Sequence, residues 1–256
     1  MSKLRAFVYV VLFVAAAFVV WQYQATEEVD EPNTTTLHRG LPSDPESVDP
    51  QKARSTQAGD ILRDIGEGLL GYSPTGEVVP GAAKSWSISE DGLTYTFVIR
   101  DDARWSNGDP LTAHDFVFSL RRLVDPATAA FYANSIAVVA NAEAILAGEL
   151  PPDALGVEAL DDRTLAIRLE QPTPYLLSLL TFPATFPVHA GSIATHGEEF
   201  TKPGNLLSNG AYKLDAWTPG SLLALSRNDN YWNNAVTAID EVRYHVLTQG
   251  GTELNR

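Results

Sequence analysis

The stretch Trp105–Pro126, WSNGDPLTAHDFVFSLRRLVDP, restricts the fold more than any other part of this 256-residue chain. Asn107-Gly108-Asp109-Pro110 is turn chemistry: Gly supplies φ > 0, and Pro disfavours α geometry at the residue before it. Thr112 then stands where a helix N-cap belongs, with Asp115 three residues on in a capping-box arrangement. Phe116, Leu120, Leu123 and Val124 recur at helical spacing, and Asp125-Pro126 ends the helix. Ahead of the turn, Leu93, Tyr95, Phe97 and Ile99 alternate as on a half-buried strand. The unit therefore reads strand, turn, capped helix. It holds no nucleophile beside a base, no metal-ligand spacing and no phosphate loop.

Composition narrows the chemistry further. Cysteine is absent, which excludes disulfides, Fe–S clusters, thiolate zinc sites, a thiol nucleophile and the acylated cysteine of a lipoprotein. Lys3 and Arg5 precede an apolar run from Ala6 to Trp21, the pattern of a secretory signal. Tyr23 and Ala25 flank Gln24, a poor cleavage site, so both a cleaved signal and an uncleaved anchor over residues 4–23 stay open. Either places the body outside the cytoplasmic membrane. The body, without its first 25 residues, has 16 basic against 32 acidic residues and repels nucleic acid and anionic lipid.

After a polar linker, Thr34 to Arg39 reads as a strand, and Gly59 to Leu70 as a helix with Ile61, Leu62, Ile65 and Leu69 on one face. Gly66 to Gly71 spells G-x-G-x-x-G, but a helix precedes it and Tyr72-Ser73-Pro74 follows. That context is wrong for a dinucleotide loop and right for a helix end. Hairpins are expected around Asp91-Gly92, Asp161-Asp162-Arg163 and Thr218-Pro219-Gly220. Ser135 to Leu146 reads as a helix, Tyr175 to Leu180 as a short apolar one, and Ile239 to Leu247 as a last strand.

Candidate chemistry is sparse. Asp101-Asp102 and Asp161-Asp162 are paired carboxylates in or beside turns, where Asp serves local hydrogen bonding. His189, His196 and Glu198 have a spacing that fits no helical face well, so they read as structural or surface residues. No G-x-S-x-G elbow occurs. Trp86, Trp105, Trp217, Tyr231 and Trp232 suit either ligand stacking or core packing. No catalytic, metal or cofactor site is assigned.

Collinear blocks carry a resemblance. They are Arg63–Leu70 (RDIGEGLL), Pro80–Trp86 (PGAAKSW), the opening unit, Asp125–Tyr132 (DPATAAFY), Leu155–Asp162 (LGVEALDD), Asn209–Tyr212 (NGAY) and Tyr231–Ala235 (YWNNA). From about Leu37 to Arg256 the chain resembles the N-terminal half of the oligopeptide-binding proteins of ABC importers, solute-binding protein family 5. The fold this implies is α/β: a periplasmic binding protein of type II-like, bilobal form with an extra small lobe. By the resemblance, residues 1–25 are signal or anchor, 26–36 linker, 37–66 and 190–256 the two parts of the first lobe, and 67–189 the small lobe. The second clamping lobe is expected to follow Arg256 and is missing here; residues 26–256 alone are then expected to bind peptide weakly or not at all. The resemblance implies extended oligopeptides as ligands, membrane permease subunits as partners, a monomer, and no enzyme activity. It places Tyr132 on the peptide site and Arg54, Ser55 and Thr56 on the segment beside the peptide, with Arg54 where the family often has an acid. A secreted carboxylate-dependent hydrolase and an anchored sensor module remain as other readings.

Overall fold

In the computed structural model, which describes residues 34–247, the stretch Trp105–Pro126 stands at the centre of the larger of two hydrophobic cores. Strands β1 (Thr36–Leu41), β2 (Leu70–Tyr72), β3 (Val78–Pro80), β4 (Ala83–Ile88) and β5 (Thr94–Ile99) come before it. The alternation of β5 is realised: Tyr95, Phe97 and Ile99 are buried, while Thr94, Thr96 and Val98 are half-buried. The Asp91-Gly92 turn joins β4 to β5, with Gly92 at φ 71°, a left-handed value that suits glycine.

Helix α1 (Thr56–Ile65) lies between β1 and β2, and helix α2 (Ala113–Val124) follows the turn. The capping box forms: one carboxylate oxygen of Asp115 accepts from the Thr112 backbone N–H at 2.7 Å and from its hydroxyl at 2.8 Å. Helix α2 buries Ala113, Phe116, Ser119, Leu120, Leu123 and Val124. Short helices α3 (Ala142–Leu146), α4 (Leu176–Leu179) and α5 (Ala190–His196) follow, with strands β6 (Val157–Ala159), β7 (Thr164–Arg168), β8 (Tyr212–Thr218), β9 (Leu222–Arg227) and β10 (Glu241–Val246).

The strands form an antiparallel sheet in the order β4-β5-β7-β6, a β2-β3 ribbon, and a mixed sheet in the order β1-β10-β9-β8. The first and last strands of the unit pair in parallel, Thr36 opposite Glu241 through Leu41 opposite Val246. The larger core lies around the antiparallel sheet and α2, and spans Leu69 to Ala184. The smaller one packs α1, through Ala58, Ile61, Leu62 and Ile65, onto Leu214, Leu223, Leu225, Val242 and Tyr244 of the mixed sheet.

Three elements differ from the sequence expectation. Helix α1 begins at Thr56 and ends at Ile65, because Ser55 is the N-cap and Gly66 turns extended. Leu69 is buried from outside the helix. The run Ser135–Leu146 is not one helix: Asn141 sits at φ 68° and separates a 3₁₀ turn, Ala133–Ile136, from α3. The first strand runs two residues later than its composition suggests, because its limits are set by pairing with β10. The signal or anchor and most of the linker lie outside the described residues.

Candidate functional site

Arg54, Ser55 and Thr56 occupy the turn that starts α1, and two local devices hold that turn. The Ser55 side chain accepts from the Ala58 N–H at 3.2 Å, satisfying an amide that the helix leaves open. Glu46 reaches back so that one carboxylate oxygen takes the backbone N–H groups of both Arg54 and Ser55, the latter at 2.9 Å. Partial burial works against that charge, but hydrogen bonds from the Ser55 side chain and from the two amides outweigh it and hold the Glu46 carboxyl down to about 2. The backbone of the segment is therefore held by hydrogen bonds at three points, the amides of Arg54, Ser55 and Ala58.

Tyr132 comes from the loop after α2 and meets the same turn. Its hydroxyl donates to the Arg54 carbonyl at 3.2 Å. Its ring stands edge-on to Phe131 and to Phe182, each at 4.8 Å between centroids. The Arg54 guanidinium lies 6.0 Å from the Phe131 ring. All four residues expected from the sequence thus line one cavity of about 210 Å³, together with Gly59, Arg63 and Phe182. One wall is aromatic and apolar; the other is a helix start with its polar backbone.

Arg63, Gly59 and Phe182 went unread in the sequence. A signal existed for two of them: with α1 starting at Thr56, positions 56, 59 and 63 fall on one helical face. Phe182 lies 50 residues from Tyr132, and only the tertiary fold brings the rings together.

The other candidates are placed elsewhere. Asp101, Asp102, Asp161 and Asp162 are exposed on turns. A hydrogen bond from Lys84 at 2.6 Å holds Asp101 below its usual range, and the Arg163 backbone amide and the Thr164 hydroxyl do the same for Asp161. Asp115 is occupied as the α2 cap. His189 caps α5, its Nδ1 accepting the Ser192 N–H at 3.0 Å. No three metal-ligating side chains gather among the described residues. Trp105 is buried in the core, and Tyr231 and Trp232 are structural: both donate to Glu67, at 2.6 and 2.7 Å.

The family model of bacterial extracellular solute-binding proteins, family 5 (middle), matches residues 77–255. The periplasmic oligopeptide-binding protein OppA of Escherichia coli (strain K12) is 43% identical over 223 residues, which are 86% of this chain and 41% of that protein. The periplasmic murein peptide-binding protein MppA of the same strain is 40% identical over 222 residues, 86% of this chain and 41% of that protein. The chain thus spans about two fifths of the length of these relatives. Among solved structures, Haemophilus influenzae OppA in complex with the peptide RPPGFSPFR superposes with a TM-score of 0.85 at 38% identity, covering 88% of this chain and 44% of that one. The unliganded open form of MppA gives 0.84 at 40% identity, with the same coverages of 88% and 44%. The mixed α/β fold is that of periplasmic binding proteins, and the chain belongs to the bacterial extracellular solute-binding proteins of family 5.

Proposed function

We propose that this chain is part of the extracytoplasmic binding component of an ABC importer, taking oligopeptides in extended form without chemistry on them. The observation that carries the reading is convergence. The Arg54-Ser55-Thr56 turn and Tyr132, 76 residues further along the chain, line one groove, in a family whose relatives named above bind oligopeptides and murein peptide. An extended peptide beside residues 54–56 would gain main-chain hydrogen bonds for affinity, while a roomy groove leaves its side chains varied.

The lobe assignment belongs to the same reading. Residues 37–66 and 190–256 would form the first clamping lobe, and 67–189 the small one. The two separate hydrophobic cores support this division, one built on α1 and the mixed sheet, the other on α2 and the antiparallel sheet. A further lobe would close over the groove about a hinge and present the closed form to the permease. The protein would act as a monomer on the outer side of the cytoplasmic membrane, free or tethered through residues 4–23. No described helix is long and apolar enough to cross a membrane. Hydrolysis draws no support from the exposed turn carboxylates.

The test is calorimetry with the protein at its native length against a set of tri- to pentapeptides. Saturable one-to-one binding that weakens by about tenfold in Tyr132→Ala is expected, the loss suited to an aromatic wall and one hydrogen bond. Absence of binding across the whole set would sink the reading.

A further inference from the structure

The groove carries a charge opposite in sign to that of the chain as a whole. The chain as a whole has a formal net charge of −14. Yet among the described residues the ionisable side chains that line the groove, Tyr132 aside, are Arg54 and Arg63, and no described carboxylate lines it. Both guanidiniums are on exposed residues, and neither has an ion-pair partner among the described residues. Arg63 Nη1 donates to the Gly59 carbonyl at 3.1 Å, and it lies 3.3 Å from where a Cβ on Gly59 would stand. The Arg63 side chain is therefore folded back along α1 toward the turn that carries Arg54.

The nearby acids are committed elsewhere. Asp64 accepts from the Tyr244 hydroxyl at 2.6 Å, and Arg39 lies 3.7 Å from Asp64 and 3.8 Å from Asp60. Glu46 is turned onto the backbone amides of residues 54 and 55 and does not line the groove. Two unpaired guanidiniums on one wall of a peptide groove favour a carboxylate, which they can grip by charge-assisted and bidentate hydrogen bonds.

Building on the peptide-binding reading, we infer that this groove selects peptides presenting a carboxylate to Arg54 and Arg63, either an Asp or Glu side chain or the peptide's C-terminus. The experiment is calorimetry at low and high salt with the native-length protein and Ala-Glu-Ala, Ala-Gln-Ala and Ala-Lys-Ala, each as free acid and as C-terminal amide. If the carboxylate comes from a side chain, Ala-Glu-Ala should bind about tenfold tighter than Ala-Gln-Ala in both acid and amide forms. If it comes from the C-terminus, amidation should cost that factor for all three. Either advantage should shrink at high salt and vanish in Arg54→Gln together with Arg63→Gln. Equal affinities across the set, or a preference for the Lys peptide, would overturn the inference and leave peptide binding standing. If no peptide binds, the peptide reading falls, and a glutarate titration followed by the NMR signals of the Arg54 and Arg63 side chains decides the rest. Shifts at both signals would keep the anion site, and no shift would overturn it as well.

Discussion

Glu67 is a buried carboxyl whose setting departs from its chemistry in water. It follows α1, and its two carboxylate oxygens take the Tyr231 hydroxyl and the Trp232 indole N–H. Its backbone N–H and carbonyl are both bonded by the Asn209 side chain, at 3.1 and 2.7 Å. The Arg100 guanidinium lies 3.5 Å from the centroid of the Trp232 ring. Burial pushes the Glu67 carboxyl up to about 6, against the two hydrogen bonds and the Arg100 charge, which pull it down. A carboxyl with a raised folded pKa holds its proton more tightly in the folded state, so its contribution to stability falls as pH rises from about 4.5 to about 6. Glu67→Gln lacks that titration and faces the Trp232 N–H or the Tyr231 hydroxyl with a second donor. Urea denaturation should find it destabilised at all pH values, with the penalty larger at pH 4.5 than at pH 7 by about 1–2 kcal/mol. A penalty that grows with pH would refute this account. Gly210 is a second sensitive residue: a Cβ there would sit 2.6 Å from the Gly66 nitrogen and 2.7 Å from the Ile65 carbonyl carbon. Both are backbone atoms and cannot swing away. Gly210→Ala should cost about 1–3 kcal/mol, readable as a lowered melting temperature.

At the scale of elements, helix α2 organises the larger core because its start is chemically defined. The Asp115 carboxylate closes the Thr112 turn, and the buried face then falls on Phe116, Leu120 and Leu123. Asp115→Ala should lose about 1 kcal/mol, the usual worth of a cap, and Asp115→Glu should not restore it fully, since its longer side chain changes the reach. The Thr112→Val variant, which keeps the backbone bond and loses the hydroxyl one, should cost less than Asp115→Ala. The start of α1 is built differently, by a serine cap and a carboxylate from Glu46 that lies eight residues before Arg54. Nothing in local periodicity announces that contact, which is why this helix start escaped the sequence reading. The break at Asn141 escaped for a related reason. Its backbone N–H is bonded by the Glu170 carboxylate at 2.7 Å and its side-chain amide donates to the Ala154 carbonyl at 2.6 Å. Those distant partners suit the left-handed conformation, where an uninterrupted helix would not place them.

At the scale of the whole described unit, the two cores are joined by a short polar seam. Asp49, buried, receives both terminal nitrogens of Arg122 from α2, at 2.7 and 3.0 Å. Gln51 beside it donates to the Ser119 carbonyl at 2.8 Å. Removing the carboxylate would leave a largely buried guanidinium without its counter-charge, so Asp49→Ala should cost about 3–5 kcal/mol. The same variant should uncouple the cores: a single thermal transition in the parent should broaden or split. If Asp49→Ala unfolds in one sharp step with an unchanged midpoint, the seam does not join them. The groove lies beside this seam, lined by the turn that follows Asp49 and by aromatics of the larger core. Its shape therefore depends on how the two cores are held together.

Elements with strong local signals were legible in the amino-acid order alone. The β5 alternation, the three hairpins, the α2 cap and the short apolar helix all rest on periodicity and turn chemistry within a dozen residues, and each is present in the fold. Rejection of the glycine motif at Gly66 also followed from local order, and the helix does end there. Blocks of resemblance along most of the body led to the family and, through it, to Arg54, Ser55, Thr56 and Tyr132. Only the tertiary structure brought those four together, added Arg63 and Phe182, set α1 between Ser55 and Gly66, and paired the first strand with the last. Each of those outcomes rests on contacts between residues far apart in the chain. Such contacts depend on how whole faces pack, and the local pattern of a sequence does not encode them.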